Sequence, residues 1–307
     1  MTDKNKKPLR ILFCTPWMEF MLGAEVHFYT IAMELIARGH SVSMYTYLKG
    51  PMWNILKNSG INLLEQDPKD EYDITILNGN ACIGKAPRSS FKIMISNGIV
   101  PSQEYPVLGA DRYVTVSEEI HDLCKVLGHD TKIIRNGIDC DRFHSIVPIN
   151  KKLKNVLLLS NKQAPQTGVF KRIYDACKSH GLNLSTLGLQ FGTAQWSVEK
   201  FINQNDLVIT IGRGVLEAMA CERNVLVLDY HGSDGLIDHK NYYEIRKNNC
   251  SGRRYHAPIS QELIEEAFDK YDYKQGKKNR EVIVKNNNIR DIVQNYLDMY
   301  KYRNMNI

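Results

Sequence analysis

Short apolar runs alternate along the chain with longer segments in which apolar positions return every three or four residues. The short runs have the length and the Val, Ile and Leu content of strands buried on both faces, as in a parallel sheet. They predict strands over 10–14, 41–46, 73–77, 92–95, 112–116 and 131–134, and a second series over 155–159, 183–187, 206–211 and 224–228. Between the first two, Phe28, Ile31, Ala32, Leu35 and Ile36 recur at helical spacing over 24–38, and Gly39 follows where a helix C-cap belongs. Further helices are predicted over 169–180 and 215–221. Near the end, Ile289, Ile292, Val293, Tyr296, Leu297 and Tyr300 share one helical face, a stripe suited to docking, and the asparagine run 286–288 before it reads as a loop with a helix N-cap.

Strict alternation of strand and helix is the pattern of a doubly wound α/β protein. The segment 141–154, with Pro148 and a polar cluster, carries no sustained period and divides the two series. A chain of 307 residues exceeds the usual single core. Three parts are therefore expected: an N-terminal Rossmann-like domain over 1–147, a C-terminal one over 148–284, and a last helix within 285–307.

Composition narrows the classes. The seven cysteines are an odd number, scattered, with no Cys-x-x-Cys pair, so neither a disulfide framework nor a zinc site is expected, and a reducing cytoplasm is the expected compartment. Lys4, Lys6 and Lys7 precede only the apolar run 11–14, too brief for a signal-peptide core or a membrane span, so no export is expected. A net charge of +6 fits an anionic partner: a nucleoside diphosphate, an anionic lipid surface touched peripherally, or nucleic acid. The basic stretch 270–290 reads either as a solvated helical face or as a binding groove.

The most informative stretch is 212–229, GRGVLEAMACERNVLVLD, which sets a glycine-flanked loop, one acid and a short helix between two apolar strands. Gly212 and Gly214 free the backbone for close approach, Arg213 offers a forked cation, and the amides at Val215 and Leu216 open a helix whose positive end suits an anion. Glu217 is expected in the first helical turn. There it either complements the helix dipole or accepts hydrogen bonds from a ribose diol.

These residues resemble the family-4 glycosyltransferases of the two-domain GT-B fold. The words LEAMAC and NVLVLD are typical of that family's donor site. RILFCTPW, GAEVHFYTIAMELIARGHSVSMYT, RYVTVSEEIHDLCKVLG and KIIRNGIDCDRF match in the family's order, so the similarity spans most of the chain. The resemblance implies two Rossmann-like domains facing across a cleft, with the C-terminal helix packing back on the N-terminal domain. It implies transfer of a sugar from a nucleotide-activated donor, with retention and without a metal or resident cofactor, the nucleotide sugar being a co-substrate. Gly23 and Ala24, at the turn opening the first helix, would present amides to the diphosphate, although Gly23 equally suits a plain turn. Glu25, one residue on, is most simply a dipole-complementing acid.

Three family positions differ here. Where the family shows Gly-Arg and then Lys-Gly, this chain reads Ser160-Asn161-Lys162-Gln163-Ala164-Pro165-Gln166-Thr167-Gly168, and Lys162 or Arg213, with Lys171 or Arg172, is expected to supply the missing charge. The first acid of the family's Glu-x7-Glu is replaced by Ile209. The family's cleft histidine is replaced by Asn97, which can hydrogen-bond a sugar hydroxyl but cannot transfer a proton. In the resembled fold, retention leans on the donor's own phosphate to take that proton.

Other residues read as structural. Asp139-Cys140-Asp141 spells the Asp-x-Asp of metal-dependent transferases but lies where the resemblance implies a turn, and no metal site is expected. His27, His40 and His121 lie on or beside helices and read as surface or core-edge residues. The stretch 231–239, HGSDGLIDH, reads as a donor-site lid or a surface loop. The acceptor is open between a glycan, a lipid-linked sugar, a protein and modified nucleic acid, since the loops 49–54 and 78–90 carry Trp53, Lys85 and Arg88 without a recognisable pattern. Two further readings stand beside glycosyl transfer: a catalytically silent relative that binds a sugar nucleotide or glycan, and a GT-B-type epimerase or hydrolase acting on the sugar nucleotide alone.

Overall fold

The computed structural model describes residues 7–88 and 90–304; Lys4 and Lys6 of the basic N-terminal stretch and Ser89 of the 78–90 loop lie outside them. The chain forms two compact units. The first holds the described residues up to Gly137 and those from Ile289 onward, and the second holds Ile138–Asn288. The division thus falls at 137/138 and 288/289 rather than at 147/148 and 284/285.

Unit 1 runs β1 (Arg10–Met18), α1 (Gly23–Ala37), β2 (Ser41–Lys49), α2 (Pro51–Leu56), β3 (Asn62–Leu63), β4 (Ile74–Asn78), β5 (Phe91–Ser96), β6 (Arg112–Thr115), α3 (Glu118–Val126) and β7 (Lys132–Ile133). All seven strands are parallel in the order β3-β2-β1-β4-β5-β6-β7. In β1 and β4 every residue from Ile11 to Cys14 and from Ile74 to Asn78 is buried, as the continuous apolar runs require. Phe13 of β1 meets Phe28 of α1 edge to face, with ring centroids 5.3 Å apart. Gly39 ends α1 at φ +85°, its amide and that of His40 returning to Ile36 and Leu35.

Unit 2 runs β8 (Asn155–Leu159), α4 (Gly168–Ser179), β9 (Asn183–Leu187), α5 (Val198–Asn203), β10 (Leu207–Thr210), α6 (Arg213–Ala220), β11 (Asn224–Asp229), β12 (Gly232–Ile237), α7 (Tyr242–Ile245), α8 (Gln261–Asp269) and α9 (Gln275–Asn287). Its sheet has the order β12-β11-β10-β8-β9, with only β12 antiparallel. The segment 141–154 belongs to this unit. Asn203 Oδ1 accepts from the Ile146 amide at 2.8 Å, and the Asp206 carboxylate accepts from the amides of Asn150, Lys154 and Asn155.

The last helix, α10 (Ile289–Lys301), belongs to unit 1 and packs on α1. Its stripe is buried at Ile289, Ile292, Val293 and Tyr296, and Arg38 of α1 donates to Gln294 Oε1 and the Arg290 carbonyl. Burial on two sides explains why α1 hides polar residues such as His27 and Thr30 beside its apolar ones.

The stretch 231–239 is neither lid nor plain loop. It contains β12, which closes the open edge of β11 with a bulge at Val227/Leu228. Its Gly, Ser and Asp content has low strand propensity, but tertiary pairing overrides it. At Gly232, φ +137°, a Cβ would stand 2.8 Å from His256 Cδ2, so the strand needs glycine there. Likewise α6 starts at Arg213 rather than 215, because Gly212 at φ +61° serves as its N-cap.

Gly276, in the first turn of α9, would place a Cβ 2.0 Å from the Glu222 carbonyl oxygen, so that α9 lies directly on the turn after α6. Gly276→Ala is expected to lower stability by about 2–3 kcal/mol, read by urea unfolding; a change within a few tenths would show that α9 does not approach the turn so closely.

Candidate functional site

In an open parallel sheet, ligands bind beyond the carboxyl ends of the strands, where neighbouring connections leave in opposite directions. The strand orders put that point between β8 and β10 in unit 2 and between β1 and β4 in unit 1.

In unit 2 the loop after β8 and the turn after β10 meet this point. The Ser160 hydroxyl donates to Asp229 Oδ2 at 3.0 Å and accepts from the amides of Lys162 and Gln163 at 3.1 Å each. The Gln163 amide group donates to Asp229 Oδ1, and its carbonyl accepts from Thr167 Oγ1 at 2.7 Å. Asp229, at the end of β11, thereby fixes the loop from Ser160 to Thr167. Sequence reasoning missed this trio, since only the sheet order brings 160, 163 and 229 together. Lys162 is exposed at the tip of this loop; Lys171 and Arg172 are exposed on α4, and Lys171 pairs with Asp175.

The two glycines after β10 have different causes. Gly212 is required by its φ of +61°, while its Cβ position is open apart from the Asn249 carbonyl at 4.0 Å. Gly214 is required by packing: a Cβ would lie 2.5 Å from Thr210 Oγ1 and 3.3 Å from Leu159 Cδ2. Val215 and Leu216 are buried, and no side chain caps the amino end of α6.

Arg213 and Glu217 face one another. Arg213 Nε donates to Glu217 Oε1 at 2.7 Å, and the two residues are only 8% and 6% exposed. Burial pushes the Glu217 carboxyl above the usual carboxylate range and the Arg213 guanidinium below its own; their mutual attraction opposes both shifts. Glu217 lies in the second turn, not the first, so the dipole explanation loses most of its force. A second pair stands nearby: Arg142 donates from Nε and Nη2 to Glu199 Oε2 at 3.1 and 2.8 Å and stacks 4.4 Å over the Trp196 ring. Asp139 Oδ1 accepts from the amides of Asp141 and Arg142, which is a turn-capping role.

In unit 1 the open point lies at the amino end of α1. Gly23 has ordinary negative φ, and a Cβ there would meet nothing within 4 Å, so neither strain nor crowding demands glycine. Leu22, the N-cap, makes no side-chain hydrogen bond to the first turn of α1, while the Glu25 amide donates to its own carboxylate. Asn97, just past β5, is bracketed: His27 Nδ1 lies 3.0 Å from its Oδ1, and its Nδ2 donates to Asn78 Oδ1 at 3.2 Å. His27 is fully buried, so it is a core residue rather than a surface or core-edge one. His40 and His121 hold local contacts, accepting from the Leu9 amide and lying 2.6 Å from Thr131 Oγ1 respectively.

Two acids complete this end of unit 1. Glu25 is 3% exposed, and burial, reinforced by Glu104, raises its pKa to about 8. Glu104 is raised to about 7 by burial, against which the amides of Asn97 and Gly98 donate to it. Glu25 is therefore more than a surface acid complementing a dipole. Nothing in the sequence marks Glu104, because only the fold carries it to Asn97.

All seven cysteines are buried and free. Among the described residues, no helix is long and apolar enough to cross a membrane, and no three His, Cys, Asp or Glu side chains stand together as a metal ion needs.

No family model matches the sequence, and no curated protein matches it. Solved structures do match. HepE of Anabaena, solved in complex with UDP and glucose, is 13% identical with a TM-score of 0.69, covering 95% of this chain and 99% of its own. A glycosyltransferase of Rickettsia africae is 14% identical with a TM-score of 0.64, over 98% of this chain and 100% of its own. AviGT4, a glycosyltransferase involved in avilamycin A biosynthesis, is 12% identical with a TM-score of 0.58, over 96% of this chain and 98% of its own. At these identities the likeness establishes the fold: the chain has the two-domain, Rossmann-like GT-B architecture.

Removing Arg213 leaves the buried Glu217 carboxylate without the cation that donates to it. Arg213→Met is expected to cost about 3–5 kcal/mol, whereas Arg213→Met combined with Glu217→Leu returns close to the parent; equal losses in urea unfolding for the single and double variants would refute the pairing. For Glu25, the folded pKa of about 8 stands above the ordinary carboxyl value of 4.5, so its stabilising contribution is complete below pH 4.5 and is lost as pH rises through about 8. Glu25→Gln stays neutral and should flatten the fall of melting temperature across that window; parallel curves for variant and parent would count against it.

Proposed function

We propose that this chain is a glycosyltransferase of the family-4 type, moving a sugar from a nucleotide-activated donor with retention and without a metal. The observation that carries the reading is the turn after β10. There Gly212 opens α6 with uncapped amides, and Glu217 stands one turn further with Oε1 held by Arg213. In the proposed reaction the bond between the anomeric carbon and the diphosphate oxygen breaks, the acceptor oxygen bonds to the same face of that carbon, and the acceptor's proton passes to the departing phosphate oxygen. Charge then grows on the leaving diphosphate, where preorganised amides and cations contribute most.

Within unit 2, the backbone at Gly212, Arg213, Gly214, Val215 and Leu216 contacts the diphosphate, Glu217 accepts from the ribose diol through Oε2, and Lys162 supplies cationic charge. Within unit 1, Gly23 and Ala24 offer anion-binding amides and Asn97 hydrogen-bonds a sugar hydroxyl. The shared fold supports this, as does HepE, whose structure contains UDP and glucose. A cytoplasmic location, and a glycan, lipid-linked sugar or protein as acceptor, belong to the same reading.

A silent, sugar-nucleotide-binding relative is the second reading, and one observation favours it. Arg213 spends Nε on Glu217, leaving Lys162 the exposed cation on the loop after β8.

Calorimetric titration of the purified chain with nucleoside diphosphates and sugar nucleotides tests the proposal. A specific hit is expected, weakened about tenfold in Glu217→Gln, as befits loss of one charge-assisted bond. Turnover upon adding acceptors supports transfer, binding without any turnover supports the silent relative, and no binding by folded protein removes the donor site.

A further inference from the structure

A depression in unit 1 lies at the opposite end of its sheet from α1's amino terminus, where β1, β5 and β6 begin at Arg10, Phe91 and Arg112. It has a volume of about 680 Å3 and is lined by six cations: Lys7, Arg10, Arg88, Lys92, Arg112 and Arg303. Three carboxylates, Glu71, Asp73 and Asp111, also line it, leaving a formal excess of three positive charges.

Two of the acids are engaged with the framework. Asp73 accepts from the Arg10 amide at 2.8 Å and from the Tyr300 hydroxyl at 3.5 Å, and Asp111 accepts from the Lys92 amide at 2.6 Å. The guanidinium groups are held by rings instead. Arg10 lies 5.4 Å over Tyr72, Arg112 5.9 Å over Phe91, and Arg303 4.1 Å over Tyr300, while Phe91 and Tyr300 pack edge to face. A stacked guanidinium is oriented but keeps in-plane donors for a ligand, so part of the ordering cost is met beforehand. Arg10 has one ion pair, a 3.4 Å contact to exposed Asp70, which water screens. Lys92, Arg112 and Arg303 donate to backbone carbonyls alone.

We propose that this pocket binds a phosphate-bearing anion, a phosphomonoester or diphosphate group, at a site separate from the carboxyl ends of the strands. Planar forks match phosphate oxygens, and several cations around one depression suit a compact, multiply charged head. The volume falls within the range of about 300–1,000 Å3 typical of small-ligand pockets. A single concave site, rather than an extended stripe, favours such a headgroup over a nucleic acid strand. The phosphate can come from a soluble ester or from an anionic phospholipid.

Hydrogen–deuterium exchange of the full chain, with pyrophosphate as probe, reads the site directly. Protection is expected in 110–112 and 300–304. The half-protecting concentration should rise about tenfold in Arg112→Ala/Arg303→Ala and in Arg88→Glu, the last an exposed position that leaves packing intact. Phosphatidic acid vesicles compared with phosphatidylcholine vesicles separate the sources: protection by pyrophosphate alone identifies a soluble ligand, and protection by the acidic vesicles as well identifies a lipid headgroup. Protection confined to 212–217, protection unchanged in both variants, or protection by a single-stranded oligonucleotide but not by pyrophosphate would overturn the proposal.

Discussion

Parallel pairing constrains this protein more than any single contact. A parallel strand can be followed by its neighbour only after a crossover, so every strand in the main run of each sheet leaves at one end and enters at the other. Each sheet therefore has two chemically distinct rims. At the carboxyl rim, chain leaves the strands in loops and helix starts, which gather the amino ends of α1 and α6, Asn97, and the loop from Ser160 to Thr167. At the amino rim of unit 1, strand starts are capped by Asp73 and Asp111, and arginines fold over aromatic rings. The candidate donor groups and the basic pocket are products of the same pairing rule, read from opposite ends.

Buried charge is handled differently at each place. Asp206 and Asp229 are surrounded by donors and act as anchors, one for the 141–154 segment and one for the loop after β8. Arg213 and Glu217 share a single strong contact in a buried setting, an arrangement that contributes little stability relative to apolar packing and yet costs much to break. Glu25 and Glu104 have neither cation nor full solvation, and burial drives both toward the protonated form near neutral pH. Groups kept this way at the carboxyl rim of a parallel sheet belong to function more readily than to folding.

The sequence by itself determined the strand and helix series and hence the fold class. Uninterrupted Val, Ile and Leu runs have no soluble alternative to a doubly covered strand, and the stripe from Ile289 to Tyr296 has none to a docked helix. It also marked the GRGVLEAMA turn, because two glycines, a cation and an acid at that spacing are local chemistry. Tertiary structure decided the rest. Low-propensity residues became β12 because β11 had an open edge. Gly212 and Gly214 look alike in sequence, but one answers to a left-handed backbone and the other to Thr210 and Leu159 pressing on α6. Glu217 moved to the second turn and met Arg213; His27 and Glu104 came to Asn97 from 70 residues before it and from the turn after it. Such contacts join residues far apart in the chain, and no local periodicity carries that information: only sheet order sets which loop ends share a rim.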